Sequence, residues 1–476
     1  MIHEFTTYPD YKESGTPWLG QLPGHWAILP NRALFTEVNE REHPDEDMLS
    51  VTITQGVIRQ SVLLAGSSKK DSSNQDKSAY KLVCPRDIAY NKMRAWQGAI
   101  GVSDLRGIIS PAYVVVRLRE ENEPRYFHYL FRTPLFAKEA ERWSYGITSD
   151  MWSLRPEHFK RIYCSLPPKN EQSAIVRFLD HFDRLVRKYI RAKKKLIALL
   201  NEQKQAIIHQ AVTRGLDPNV RLKPSGVEWL GDVPESWQVL PIKRAFLSMD
   251  YGISESATDE GSIRLLTMGN IKDGQVSIPE SGGISTVDPE LLLAPNDLLF
   301  NRTNSAELVG KVGLFKGADL NVTFASYLVR MRSKSGHDPN YLNCLLNDRS
   351  ILSVVRRESI PSLHQSNLNP TRYGRLQIAL PPLSEQRWIL RHIKSSTGNL
   401  DHAIEVANRE LGFLQEYRTH LITDVVTGKL DVRDVAESLP DEPEEPHAPE
   451  VPEAAEGAAD EAVDADGGSL IEESES

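Results

Sequence analysis

The chain has 476 residues, 40% apolar and 25% charged, the balance of an ordinary soluble globular protein with room for two or three cores. It lacks an apolar run of about 18 residues, which excludes a spanning helix, and its start, MIHEFTTYPDYKESG, lacks the basic and apolar regions of a signal peptide. Three distant cysteines (Cys84, Cys164, Cys344) exclude a disulfide framework or paired-cysteine metal site, so a cytoplasmic chain with no membrane contact is expected.

The net charge of −9 is unevenly spread. Residues 436–476 hold 15 Asp or Glu and no Lys or Arg, leaving 56 basic against 50 acidic groups, or +6, in the rest of the chain.

The first element along the chain is SGTPWLGQLPGHWAILP at 14–30. It returns as SGVEWLGDVPESWQVLP at 225–241, an offset of 211. LPPKNEQ at 166–172 returns as LPPLSEQ at 380–386, an offset of 214 that holds without a gap to AVTRGLD (211–217) and DVVTGKLD (424–431). Each copy frames a long insert that matches poorly. The inserts, 31–160 and 242–374, read as mixed α/β. AYVVVRL (112–118) and SYLVRM (326–331) have the β-branched, aromatic character of strands. Residues 126–143 and 341–357 read as helical stretches.

A long helix follows each insert. Pro167 and Pro168, like Pro381 and Pro382, stop the preceding strand, and Asn170 and Ser384 are placed as N-caps. Glu171 and Glu385 sit in the first turn, where the helix dipole favours negative charge. Val186, Ile190, Ile197, Leu200, Ile207 and Ala211 form one apolar seam. Leu400, Ile404, Leu411, Leu414, Leu421 and Val425 form the other. The three-, four- and seven-residue steps predict a coiled coil, antiparallel if the halves are equivalent. Lys193, Lys204 and Arg418 interrupt these seams.

The first WLG segment has no helix before it, so equivalence of the halves places it at the end of the second long helix. Residues near 15 and near 430 are then neighbours, with Trp18, Leu19, Trp229 and Leu230 as apolar plugs. The fold class is α+β: two pseudo-symmetric domains joined by two long antiparallel helices, with an acidic C-terminal tail. The boundaries are 1–165 (first domain), 166–218 (first helix), 219–379 (second domain), 380–435 (second helix) and 436–476 (tail). Prolines at 440, 443, 446, 449 and 452, and too little apolar area to offset the entropy of ordering, predict a disordered tail. It reads as solubilising, with competition against an anionic ligand for the basic body as the sharper alternative.

Catalytic motifs are missing: the chain has no GxxxxGK[ST] loop and no HExxH. Asn369-Pro370-Thr371-Arg372 lacks the second proline of the amino-methyltransferase motif. It aligns with Arg155-Pro156-Glu157-His158, which makes it a shared turn. The polar features repeated in the inserts are DIAYNKMR (87–94) and DLLFNRTN (297–304), in which Asn91 matches Asn301, Lys92 matches Arg302, and Arg94 and Asn304 diverge. Asn, Lys and Arg hold phosphates and read base edges, so Asn91, Lys92, Arg94, Asn301, Arg302 and Asn304 form a candidate DNA-binding set. The competing reading is that Asp and Asn cap turns at strand ends. The basic run Arg184, Arg187, Lys188, Arg191, Lys193, Lys194, Lys195 has no equal at 398–409 and reads as a solvated helix face.

SGxxWLGxxPxxW, the repeated D[IL]xx[YF]N[KR] stretch and LPPxxEQ, in duplicated order over residues 10–435, resemble the specificity (S) subunits of type I restriction–modification systems. The resemblance implies two target-recognition domains reading the halves of a split double-stranded DNA sequence. It implies helices that set the gap and dock two methyltransferase (M) subunits, with restriction (R) subunits joining. It also implies a non-catalytic chain that holds no cofactor, S-adenosylmethionine, ATP and Mg belonging to the partners. The alternative is a non-catalytic scaffold whose helical rod binds only proteins.

Overall fold

A computed structural model describes residues 5–65, 76–119, 121–146, 151–258, 261–317, 321–361 and 365–440. The chain divides into two compact units. Unit 1 is Met1–Arg191 with Leu411–Ser476, and unit 2 is Ala192–Glu410.

Each unit is built on the repeated frame. The SGxxWLG segment is the loop of a small hairpin, Tyr11–Glu13 with Gln21–Pro23 in unit 1 and Leu222–Pro224 with Asp232–Pro234 in unit 2. Ser14 and Ser225 bond the backbone two residues on, and their own amides reach Gly20 and Gly231. Both glycines of each loop have φ of 60–72°, a left-handed conformation in which a side chain is strained, which is why the pattern repeats. After this loop the strand Ala27–Pro30 pairs antiparallel with Tyr163–Leu166, and Gln238–Pro241 pairs with Gln377–Leu380. Each insert therefore leaves and re-enters its frame through one two-stranded ribbon.

The inserts hold antiparallel sheets of the same order. In unit 1 the order is Phe35–Val38, Tyr113–Leu118, Ile88–Asn91, Ile100–Val102. In unit 2 it is Phe246–Tyr251, Leu328–Ser333, Leu298–Asn301, Val312–Leu314, extended by Gln275–Val276, in parallel, and Ile271–Lys272. The sheet neighbours in the four-stranded core are antiparallel and are accompanied by short helices, so the inserts mix helix and sheet as expected and the chain is α+β. Both expected helical stretches are split. Pro124–Phe131 and Pro134–Arg142 are separated where Thr133 caps the second, and Pro339–Leu346 and Arg349–Arg357 where Asp348 does.

The long helices are Lys169–Arg214 and Leu383–Val426. They begin at Lys169 and Leu383, one residue before the expected caps Asn170 and Ser384. The carbonyls of Pro168 and Pro382 accept the first helical bonds, from Gln172 and Gln386. The LPPxxEQ motif joins three parts of the frame. Glu171 and Glu385 accept the indole N–H of Trp26 and Trp237, each at 3.0 Å. The amide groups of Gln172 and Gln386 donate to Pro167 and Pro381 and accept from the backbone N–H of Glu123 and Asp338, the N-caps of the insert helices.

The helices pair antiparallel within each unit. Arg418 Nε lies 2.5 Å from Asp183 in unit 1, and in unit 2 Lys204 Nζ lies 2.5 Å from Asp401 while Lys193 pairs with Glu410. Asp183, Lys193, Lys204 and Arg418 fall on the three–four rhythm of the seams. The three apparent interruptions are thus seam positions with charged partners across the pair.

Thr6 bridges Asp431, and the Tyr11 hydroxyl bonds the Lys429 carbonyl, so the start of the frame meets the end of the second long helix inside unit 1. Trp26 is the plug there: a side chain on Gly428 would come within 3.1 Å of its ring. Trp18, expected in that place, packs on Phe136 of the insert (ring centroids 5.6 Å apart), and Trp229 and Leu230 are half-buried. The tail boundary also moves. Arg433–Ser438 is helical with Ala436 buried, whereas residues 441–476, for which disorder was expected, lie outside the described residues.

Candidate nucleic-acid interface

The repeated D[IL]xx[YF]N[KR] stretch is a loop followed by a central sheet strand. Asp87 and Asp297 are buried at its start. Each accepts the backbone N–H three residues earlier, from Cys84 and Ala294. Each also binds an arginine of the adjacent strand: Arg117 Nε lies 2.6 Å from Asp87 and Arg332 Nε 3.0 Å from Asp297. The aromatic residue fixes the other face. Tyr90 lies against Phe159 and Phe300 against Tyr373, at 5.1 and 4.0 Å between centroids. Phe159 and Tyr373 stand on the short helices Pro156–Phe159 and Pro370–Arg375, the shared turn read at Arg155-Pro156 and Asn369-Pro370.

The strand ends at the basic residue. The carbonyls of Lys92 and Arg302 accept the amide N–H of Leu154 and Leu368. That bond places a hairpin beside the basic residue in each unit, through the Tyr145–Ser153 bridge in unit 1 and the Ile360–Pro361 and Ser366–Asn367 strands in unit 2. In unit 1, Lys92, Tyr145, Met151, Ser153, Arg155 and Glu157 line a cleft. Tyr145 is 57% exposed and its ring lies 4.8 Å from that of His158. In unit 2, Arg302 lies over the exposed ring of Tyr251, 5.4 Å from its centroid, beside exposed Tyr327. Cations set among exposed aromatic rings are the chemistry of phosphate and base contact.

The six candidate residues part company here. Asn301 is buried, its amide nitrogen donating to the Met268 carbonyl; it faces the interior, and the expectation that it touches DNA is corrected. Asn91 and Asn304 accept the backbone N–H of Met93 and Ser305, the turn-capping arrangement. Arg302 is half-buried, with Nη1 on the Ser326 carbonyl. Lys92 and Arg94 are half-buried, and neither side chain has a hydrogen bond or ion pair to the described residues. Tyr145, Arg155, Tyr251 and Tyr327 escaped the sequence reading. The alignment of Arg155-Pro156 with Asn369-Pro370 was a pointer to the first pair, since it marks the hairpin's exit.

Among the described residues no helix is long and apolar enough to cross a membrane, and no three His, Cys, Asp or Glu side chains gather as a metal site.

Residues 47–198 match the Type I restriction modification DNA specificity domain. A Methanocaldococcus jannaschii protein carrying the name MjaX specificity subunit is 27% identical over 189 residues, 38% of this chain and 44% of that protein, so the match spans less than half of that relative. The StySPI specificity subunit of Salmonella potsdam is 22% identical over 439 residues, 88% of this chain and 92% of that one. A solved chain from work on complex assembly and conformational transition of the type I R-M system superposes with a TM-score of 0.59 over 86% of this chain and 99% of that chain. At 15% identity the likeness is one of fold. With a matching domain, a relative aligned along most of its length and a shared fold, the chain is similar to type I restriction–modification specificity subunits.

Proposed function

We propose that each insert reads one half of a split double-stranded DNA target, and that the chain does no chemistry itself. One observation carries this reading. A basic residue is set by the same backbone bond beside a hairpin in both units, and the side chains around it differ. A repeated position suits the sugar–phosphate backbone, which is alike at every site, and dissimilar surroundings suit different bases. Lys92, Arg94 and Arg302 are the proposed contacts, with Asn91 and Asn304 shaping the turns that carry them.

Methyltransferase subunits, one for each unit, are the proposed partners, with restriction subunits joining. S-adenosylmethionine, ATP and Mg would sit in those partners. Apolar side chains left uncovered on the helix pair support docking: Leu185, Tyr189, Phe413 and Tyr417 in unit 1, and Leu196, Leu199 and Trp388 in unit 2. The experiment is methylome sequencing with and without the gene. A bipartite adenine-methylated motif should vanish on deletion; an unchanged methylome would favour a protein-binding scaffold.

Exchanging residues 31–160 for another insert should change one half of that motif and leave the other half unaltered, as read by the same sequencing. Arg302→Ala should weaken DNA binding by the assembled complex, by about 1–3 kcal/mol if Arg302 reads a base and evenly across sequences with a shallower salt dependence if it holds a phosphate, measured by titration with a target duplex. Wild-type affinity would leave Arg302 a packing residue on Tyr251.

A further inference from the structure

The basic run on the first long helix has no counterpart in the second copy, so the shared frame does not require it. The coiled-coil register gives it a definite place. With Leu179, Asp183, Val186 and Ile190 in the seam, the positions Arg177, His181, Arg184, Lys188 and Arg191 follow one another at steps of four and three on the outward face. Arg177, Lys188 and Arg191 are exposed, and Lys188 and Arg191 have no ion pair to the described residues.

The chain leaves the described structure at the head of this stripe. Val432 and Ala436 are buried in the unit 1 core and hold the helix Arg433–Ser438 in place. The next residue, Leu439, accepts a hydrogen bond at its carbonyl from Arg177 Nη2 at 2.5 Å. Beyond it, residues 441–476 carry 14 Asp or Glu and no Lys or Arg.

We propose that the acidic segment after Pro440 docks in cis along the stripe from Arg177 to Arg191 and shields it from other polyanions. The reach is sufficient. Fourteen helical residues rise about 21 Å, and some seven extended residues cover that distance. Asp441, Glu442, Glu444 and Glu445 fall within it. Each surface pair contributes little, typically below about 1 kcal/mol, and salt screens it. Tethering compensates, because a segment anchored at Leu439 meets the stripe at about millimolar effective concentration. The occupant is this segment, and not nucleic acid, because its origin lies on the first residue of the stripe.

The test uses the purified full-length chain and a zero-length carbodiimide cross-linker, which joins a carboxylate to a lysine amine. At low salt, mass spectrometry should find Lys188 joined to the peptide holding Asp441–Glu445. Mixing labelled and unlabelled chains should show the link to be intramolecular, and high salt should abolish it. A chain ending at Pro440 should bind a short DNA duplex of random sequence on the order of tenfold more tightly at low salt. Adding Lys188→Glu and Arg191→Glu to that truncated chain should remove the gain. Cross-links spread over lysines elsewhere with none at Lys188, links formed only between chains, or a gain that survives the double substitution would each overturn the proposal.

Discussion

Trp26→Ala should lower the stability of unit 1 by about 3–5 kcal/mol, the range for emptying a fully buried large aromatic site. That is a large share of the 5–15 kcal/mol typical of a domain. Trp26 has no exposed surface. Its ring meets Tyr8 and Tyr126 at centroid distances of 5.8 and 6.5 Å, and its indole N–H serves Glu171. Glu171 is also bound by the Tyr8 hydroxyl and, at 2.8 Å, by His25. Burial, with the Glu171 carboxylate beside it, holds the Tyr8 hydroxyl protonated far above the usual phenol range. The substitution therefore opens a cavity and removes a donor from a buried carboxylate. Trp26→Phe separates the two effects. It should cost about 1.5–3 kcal/mol through the lost bond to a charged group. Hydrogen-exchange mass spectrometry during denaturant titration reads unit 1 apart from unit 2. A loss below about 1 kcal/mol for Trp26→Ala would show that the tryptophan does not hold the frame closed.

Asp183→Ala should cost unit 1 about 3 kcal/mol, the lower end for breaking a buried pair, because Arg187 and Arg418 keep partial access to water. Burial by itself would raise the pKa of Asp183, but the guanidinium groups of Arg418 and Arg187 outweigh it and hold the carboxyl below its ordinary value. A carboxylate depressed in the folded state contributes stability above its unfolded pKa of about 3.9 and loses that contribution as pH falls through the folded value. The native chain should thus lose stability in unit 1 below about pH 4, and the Asp183→Ala chain should show a shallower decline. Parallel acid titrations of the two proteins would expose the reverse.

The frame was legible in the sequence because its residues serve several partners at once, and such positions tolerate little drift between copies. Glu171 illustrates the limit. Its place in the first turn was readable from the dipole argument, but its indole partner lies 145 residues away in sequence, beyond any local rule. The charged seam positions looked like faults for a related reason: one helix cannot announce that Asp401 or Glu410 on another will answer its lysines. Asn301 was misplaced because an asparagine at a strand end is equally suited to solvent and to a buried carbonyl. The Met268 oxygen that settles the matter comes from a loop with no signature. Tyr145 and Tyr251 went unseen because an aromatic side chain is read as core unless burial says otherwise.

Sliding one long helix against the other by a heptad would set Asp183 against Leu411 or Val425, and Lys204 against Lys394 or Asn408. Either slide strands the Asp183 carboxylate against hydrocarbon. Lengthening confined to a single copy is therefore self-defeating, whereas an equal insertion in both keeps each ion beside its counter-ion. Evolution can alter the reach of this molecule only in coupled steps, taken simultaneously in two places in the gene.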